Sequence, residues 1–134
     1  MLCGAAIQWT ARKQTTVALS SVESEFIAIC STAQELMYIS SLLNELGFEQ
    51  ECPTLQSDSQ GAKAFAENPI SKSRLKHIDI KYFFVRQGIQ DKVFKLSFVR
   101  SHQNLADLMT KALPLPAFSF LVARIMNRGH EINV

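Results

Sequence analysis

The sequence predicts an α/β fold, because segments with strand-like alternation take turns along the chain with segments that have helical spacing. The 134 residues fit one domain and leave no room for two. A hydrophobic fraction of 47% is ordinary for a globular protein and excludes disorder of the whole chain. The alternation of strands and helices indicates that they pack in layers around one core.

The N-terminal third of the sequence predicts one strand followed by one long helix. Apolar and polar residues alternate over residues 4–12, which favours a strand. Ser20 and Glu23 then have the spacing of a capping box, with the Ser20 hydroxyl placed to bond the Glu23 amide and the Glu23 carboxylate reaching back. Apolar residues at three- and four-residue steps predict a helix over residues 21–46, which Gly47 would terminate.

The rest of the sequence predicts further strands and helices that are separated by loops, turns and prolines. The strands are expected at residues 54–58 and 93–99, and the helices at residues 60–67, 75–90, 105–113 and 118–126. The first of these helices stops before Pro69, since the residue before a proline avoids helical backbone. Pro114 and Pro116 separate the main domain, residues 4–113, from a C-terminal short helix and tail at residues 114–134.

Charge, cysteines and histidines exclude several classes of function. A formal net charge of +2 is too small to indicate a nucleic-acid partner by itself. The three cysteines form no Cys-x-x-Cys pair and the three histidines are scattered, so we expect no zinc site and reduced thiols in the cytoplasm or nucleus. Residues 1–7 are apolar but too short to cross a bilayer, which predicts an intracellular protein that is neither secreted nor bound to a membrane.

Three acidic residues stand where predicted strands and helices meet. Glu25 lies in the first turns of the long helix, Asp58 between a strand and a helix, and Asp107 early in the helix after the last strand. Active sites of open α/β sheets gather at the carboxyl ends of strands, and carboxylates that converge there can hold Mg²⁺. The simpler interpretation of each residue is a helix cap or a solvated charge, because helix N-termini favour acidic side chains without any catalysis.

Basic residues and two histidines are candidates for contact with nucleic-acid phosphates. The basic candidates are Arg12, Lys13, Lys72, Arg74, Lys76 and Lys111. Such contacts would be independent of base sequence and weakened by salt, but a solvated basic face explains the same residues equally well. His102 could act as a mobile general acid or base, although a surface turn is its simpler role. For His77 we prefer a partly buried or solvated helix residue to a phosphate contact.

Four short blocks follow one another in a fixed order along the chain. They are VALSSVESEFIA at residues 17–28, SDSQGA at residues 57–62, KHIDIK at residues 76–81 and LADLMTK at residues 105–111. The first resembles the VALSSTEAEYIA signature of the ribonuclease H domain in Ty-copia-type retrotransposon Pol polyproteins. The others are similar to the family's CDNQSA, KHIDIR and LADILTK, and Asn68-Pro69 and Ser73-Arg74 are similar to its NP and SR. The ordered set is far more specific than any single block.

This resemblance implies a ribonuclease H-like fold, with a mixed sheet flanked by helices, and hydrolysis of the RNA strand of RNA/DNA hybrids by a two-metal Mg²⁺ site. By motif match, Glu25, Asp58 and Asp107 would be the catalytic and metal-binding carboxylates. Glu25 occupies the acidic position of the family's EYIA pattern, while the capping box explains Glu23. The implied partners are an RNA/DNA hybrid and the remainder of the reverse transcriptase polyprotein, in the cell or in a virus-like particle, with no small-molecule cofactor.

Departures from the family pattern bear on activity. The family's first metal-binding aspartate stands in a DADW-like stretch of the first strand, and no such stretch occurs here. We therefore expect an incomplete domain, with the first strand and most of the second missing, and an inactive isolated chain. Ser59 and Ala112 stand where the family has Asn and Pro. The alternative is a catalytically dead retroelement fragment that is, at most, a weak nucleic-acid or protein interaction module.

Overall fold

The computed structural model describes residues 5–15, 17–67 and 76–126. The chain divides into two compact units. The smaller unit comprises Met1–Thr16 and Arg100–Val134, and the larger unit comprises Val17–Val99. The described elements combine helices with a small parallel sheet, so the predicted α/β class is confirmed at that level.

The larger unit contains the long helix, both strands of the sheet and two shorter helices. In chain order they are α1 (Ser21–Glu45), β1 (Thr54–Ser57), α2 (Gln60–Glu67), α3 (Lys76–Gln90) and β2 (Lys95–Phe98). All of these elements were predicted, and α2 has the predicted bounds. Strand β2 begins later than expected because the N–H groups of Val93 and Phe94 still bond the Gly88 carbonyl, at 2.9 and 3.4 Å, at the end of α3.

Strands β1 and β2 pair in parallel, with Leu55 opposite Leu96. The Val99 N–H donates to the Ser57 carbonyl at 3.0 Å and closes the carboxyl end of the pair. Parallel strands need a crossover connection, and helices α2 and α3 lie in that connection. Within the described ranges the sheet has these two strands alone, and the larger mixed sheet of a ribonuclease H-like fold stays a prediction.

One apolar core holds the larger unit together, and the apolar stripe of α1 forms its centre. The buried residues of this stripe are Phe26, Ile29, Cys30 and Ala33. The Phe26 ring meets the Phe65 ring of α2 edge-on with centroids 4.9 Å apart, and Phe65 meets the Tyr82 ring of α3 at 5.8 Å. Such aromatic pairs contribute about 0.5–1.5 kcal/mol each beyond their burial. The helical stripe predicted for residues 21–46 is thus confirmed as core at its N-terminal half.

Both ends of α1 have the predicted capping residues. The Glu23 N–H donates to the Ser20 hydroxyl at 3.1 Å, while the Glu23 carboxylate accepts from the Leu19 N–H at 2.8 Å. The Glu23 carboxylate therefore accepts from Leu19, one residue before the Ser20 N–H that the capping box predicts as its partner. At the other end Gly47 has φ 81, and the Phe48 N–H reaches back to the Leu43 carbonyl at 2.9 Å. This is a Schellman motif, which needs the left-handed backbone that glycine adopts without strain.

The predicted N-terminal strand is wrong for the described part of residues 4–12. Ala5 forms an isolated bridge and the Ala6 N–H donates to the Ile125 carbonyl at 2.9 Å, but residues 7–15 are neither strand nor helix. Trp9 is 69% exposed. A strand needs a neighbouring backbone along its length, and beyond the bond of Ala6 residues 7–15 pair with no described strand.

The C-terminal part of the smaller unit consists of short elements. They are a 3-10 turn (Ser101–Gln103), α4 (Asp107–Thr110) and α5 (Leu115–Ile125). Helix α4 is shorter than the predicted helix at 105–113 because Lys111 has extended backbone, with φ −126 and ψ 141. Helix α5 begins earlier than predicted, with Pro114 as its N-cap and Pro116 in its first turn, where a missing N–H costs nothing.

Helix α1 is the one helix among the described residues that is long and apolar enough to cross a membrane by length and composition. The core helix of a soluble protein passes the same test, and α1 buries Phe26 and Ile29 against its own unit. The predicted absence of a membrane partner stays a prediction.

Candidate functional site

Asp58 follows the last residue of β1, stands two residues before α2 and is half-buried. The residue that caps α2 is its neighbour, since the Ala62 N–H donates to the Ser59 hydroxyl at 3.1 Å. The Ser59 N–H in turn donates to the Ser57 hydroxyl at 3.2 Å. Serine and asparagine are both good N-caps, so the departure from the family at position 59 keeps this local function. The capping interpretation, which sequence alone left open for Asp58, therefore applies to Ser59.

Glu25 is exposed and lies on the second turn of α1. The cap of this helix uses Ser20 and Glu23, two residues earlier. The capping box thus assigns a structural role to Glu23 and leaves Glu25 outside it, as the sequence predicted.

The starts of α1 and α2 lie side by side in the larger unit. A Cβ placed on Gly61 would come within 2.9 Å of the Val22 Cγ2 atom, so only glycine fits between the two helices without a shift. Glu25 is one helical turn from Val22, and Asp58 stands three residues before Gly61. This close approach therefore puts the two predicted carboxylate positions near neighbouring helix starts. Gly61 makes the approach possible, and the sequence did not mark it as a functional residue.

Asp107 is the first residue of α4, in the smaller unit, and its side chain is 11% exposed. The Lys111 ammonium bonds its carboxylate at 2.8 Å, across one turn of helix. Lys111 is itself half-exposed. The residue predicted to contact phosphate therefore neutralises a predicted metal ligand in this structure.

Carboxylate oxygens are the donors that Mg²⁺ prefers, so the chemistry of Glu25, Asp58 and Asp107 suits that ion. Glu25 and Asp58 belong to the larger unit and Asp107 to the smaller one. Across residues 5–15, 17–67 and 76–126, no three His, Cys, Asp or Glu side chains gather closely enough to hold a metal ion. The three-carboxylate site therefore stays a prediction from the resemblance.

The other predicted contact residues are spread over both units. Arg12, Lys13 and His102 are exposed, with His102 in the 3-10 turn. Lys72 and Arg74 lie outside the described residues, and so do the side chains of Lys76 and His77, whose backbone begins α3. The exposed turn agrees with the simpler interpretation of His102 as a surface residue.

A cleft of about 320 Å³ lies between the C-terminal half of α1 and the loop before β1. Its lining includes Ser40, Asn44, Cys52 and Lys92. The Cys52 thiol donates to the Lys92 carbonyl at 3.1 Å, and Lys92 has a positive φ of 57. No motif or spacing predicts this cleft, because its walls come from segments that are forty residues apart.

The comparison with curated proteins identifies relatives over most of the chain. It is 38% identical over 120 residues to the Retrovirus-related Pol polyprotein from transposon RE1 of Arabidopsis thaliana, a match that covers 89% of the chain. It is 36% identical over 115 residues, 86% of the chain, to the Retrovirus-related Pol polyprotein from transposon TNT 1-94 of Nicotiana tabacum. The chain is homologous to a segment of transposon Pol polyproteins.

The chain matches only a small part of each of these proteins. It spans 8% of the RE1 polyprotein and 9% of the TNT 1-94 polyprotein. A more distant relative, the Transposon Ty1-DR5 Gag-Pol polyprotein of Saccharomyces cerevisiae, is 26% identical over 122 residues, which is 90% of the chain and 7% of that polyprotein. No family model and no solved structure matches the chain. The comparisons therefore support one part of the resemblance, namely that the chain is a fragment of a retroelement polyprotein.

Proposed function

We propose that this Pol segment is the ribonuclease H module of a transposon polyprotein and hydrolyses the RNA strand of RNA/DNA hybrids with divalent metal. Homology to Pol polyproteins along most of the chain supports the setting. The local structure around Glu25 and Asp58 supports the chemistry.

The observation that carries the proposal is the approach of Val22 to Gly61. It holds the start of α1, whose second turn carries Glu25, beside the start of α2, and Asp58 precedes α2 at the carboxyl end of a parallel strand. Ligands of α/β proteins bind at such strand ends. Neither carboxylate belongs to the side-chain capping bonds of these helices, which Ser20, Glu23 and Ser59 provide.

The chain's own residues would supply negatively charged oxygens, and bound Mg²⁺ would supply an activated water and stabilise the leaving oxygen. Asp107 is the third candidate ligand. To bind the cation, the Asp107 carboxylate would have to release the Lys111 ammonium, whose side chain is half-exposed. Lys111 would then be a candidate contact for a backbone phosphate of the hybrid.

Recognition of the hybrid would use its phosphates and its A-like groove. The proposed contacts are Arg12, Lys13, Lys72, Arg74, Lys76 and Lys111, with His77 and His102 in lesser roles. We place the protein inside the cell, together with the remainder of the reverse transcriptase polyprotein.

The test is cleavage of a labelled RNA strand annealed to DNA. Because the family pattern includes an aspartate that this sequence lacks, the assay uses the 134-residue chain and a longer chain that carries the preceding part of the polyprotein reading frame. The longer chain should cut the RNA when Mg²⁺ is present, and cutting should stop when the metal is chelated. Asp58→Asn should lower the rate by about 100-fold or more, whereas Asp91→Asn, an exposed turn residue, should leave it unchanged.

A second candidate is a catalytically inactive fragment of a retroelement. The ion pair between Asp107 and Lys111 favours it, because it ties one of the three carboxylates into a structural contact. If neither chain cuts the RNA, although circular dichroism shows that both are folded, the nuclease proposal is rejected and this candidate remains.

A further inference from the structure

Helix α1 carries a second apolar stripe that the core does not use. We call the surface formed by Tyr38, Leu42, Leu46 and Phe48 the outer patch. These four side chains are 66%, 42%, 62% and 60% exposed, respectively. Tyr38, Leu42 and Leu46 follow one another at four-residue steps, so they line one face of the helix.

The outer patch lies on the face of α1 opposite its core stripe. At about 100° per residue, Tyr38 and Leu42 project roughly 180° away from Ile29 and Ala33, which are buried. The Schellman motif fixes the chain just after the helix, through the bond from the Phe48 N–H to the Leu43 carbonyl at 2.9 Å. The position of Phe48 at the end of the stripe is therefore set by hydrogen bonds.

Negative charge lies beside the outer patch. Glu45 is one helical turn after Leu42 and Glu49 follows Phe48, and both are exposed. The last turn of the helix contains no basic residue, so no side chain of that turn offsets the negative end of the helix dipole. From residue 14 to residue 62 the sequence has six Glu and one Asp but no Lys or Arg. The patch is thus an apolar strip with exposed glutamates beside it.

We propose that the outer patch docks a basic amphipathic segment from another part of the same Pol polyprotein. Such a segment would place apolar side chains at three- and four-residue steps against Tyr38 and Leu42, and its Lys and Arg residues beside Glu45 and Glu49. More than nine-tenths of each of these two plant relatives lies outside the region that this chain matches, so a polyprotein of that length has much further sequence that could supply such a segment in cis.

The charge on this surface decides against two other occupants. A nucleic-acid backbone would be repelled by the glutamates. A second copy of this chain packed about a two-fold axis would set the same acidic patch against itself, with like charges facing each other. The inference concerns a partner and does not depend on nuclease activity.

The test is binding of the fluorescently labelled 134-residue chain to overlapping 20-residue peptides that span the transposon RE1 Pol polyprotein. Bound peptides should carry net positive charge and helical apolar spacing, and binding should weaken as salt is raised. Two double variants should each lower the affinity for the tightest-binding peptide by about tenfold or more. They are Tyr38→Ser with Phe48→Ser, and Glu45→Lys with Glu49→Lys. All substituted residues are exposed, and circular dichroism would check the fold of each variant.

The matched control replaces exposed apolar residues on another helix, Ile80→Ser with Phe83→Ser on α3, and should leave the affinity unchanged. The proposal is overturned if no peptide binds, if neutral or acidic peptides bind equally well, or if the outer-patch variants bind like the parent. It is also overturned if sedimentation shows a dimer of the chain that the outer-patch variants abolish. None of these outcomes requires cleavage of a hybrid, so failure here and failure of the nuclease proposal are distinguishable.

Discussion

Gly88 lies on α3 directly beneath the Phe94 ring, which is 1% exposed. A Cβ at position 88 would come within 2.9 Å of the Phe94 Cζ atom. Gly88→Ala should therefore destabilise the protein by about 1–3 kcal/mol, even though alanine favours helix over glycine, because the added methyl forces the ring from its place. Urea unfolding followed by circular dichroism measures the change.

A double-mutant cycle isolates the cause. Phe94→Leu removes the ring edge, so Gly88→Ala should cost clearly less in that background than in the parent. An equal cost in both backgrounds would show that the loss does not come from contact with Phe94.

Cys30 is buried in the core, and burial raises the pKa of its thiol above the ordinary value of 9.0, with the positive charge of Lys81 acting in the opposite direction. The unfolded chain loses this proton near pH 9, while the folded chain holds it to higher pH. Folding therefore keeps an extra proton above pH 9, and the free energy of unfolding falls as pH rises there.

Urea unfolding at about pH 8 and about pH 10 tests this contribution. The parent should lose more stability across that interval than Cys30→Ala, which has no thiol to ionise. Identical losses in the two proteins would remove Cys30 from the explanation.

Local spacing was sufficient to predict the capping residues of α1, Ser20 and Glu23, and to leave Glu25 outside the cap. Ser20 and Glu23 lie three residues apart, so the local backbone conformation alone determines their hydrogen bonds. The approach of Gly61 to Val22 could not be predicted in the same way, because it joins two helices that tertiary packing brings together.

At the scale of the element, α1 depends on its cap. Ser20→Ala should destabilise the protein by about 1 kcal/mol, because the Glu23 N–H then loses its partner at the helix start. Ser21→Ala, one position into the helix, is the matched control and should change stability by less than about 0.5 kcal/mol. Chemical unfolding measures both, and equal effects would contradict the assignment of Ser20 as the cap.

Elements with local start and stop signals were predicted well. Helix α2 has its predicted bounds, since Ser59 precedes it and Pro69 follows soon after it. The strand predicted near Trp9 failed because alternation describes a side-chain pattern, whereas a strand also needs a backbone beside it. The late start of β2 likewise depends on bonds to the end of α3 that no periodicity reveals.

At the scale of the whole molecule, charge is divided along the chain. The acidic stretch from residue 14 to residue 62 includes Glu25, Asp58 and the outer patch, whereas every basic candidate for phosphate contact lies outside it. The predicted carboxylate trio also draws on both compact units. Sequence could name these three residues through motif order, but a site that joins them is a proposal, because its geometry depends on tertiary structure, as the burial of the core does.

The comparison of two glutamates on one helix tests the central claim most directly. Glu25→Gln and Glu23→Gln each remove one charge from the start of α1, and glutamine at position 23 can still accept the Leu19 N–H bond. In the Mg²⁺-dependent cleavage of an RNA/DNA hybrid by the longer chain, Glu25→Gln should lower the rate by about 100-fold or more while Glu23→Gln retains it. Equal rates for the two variants, or a loss confined to Glu23→Gln, would contradict the assignment of Glu25 to the nuclease site.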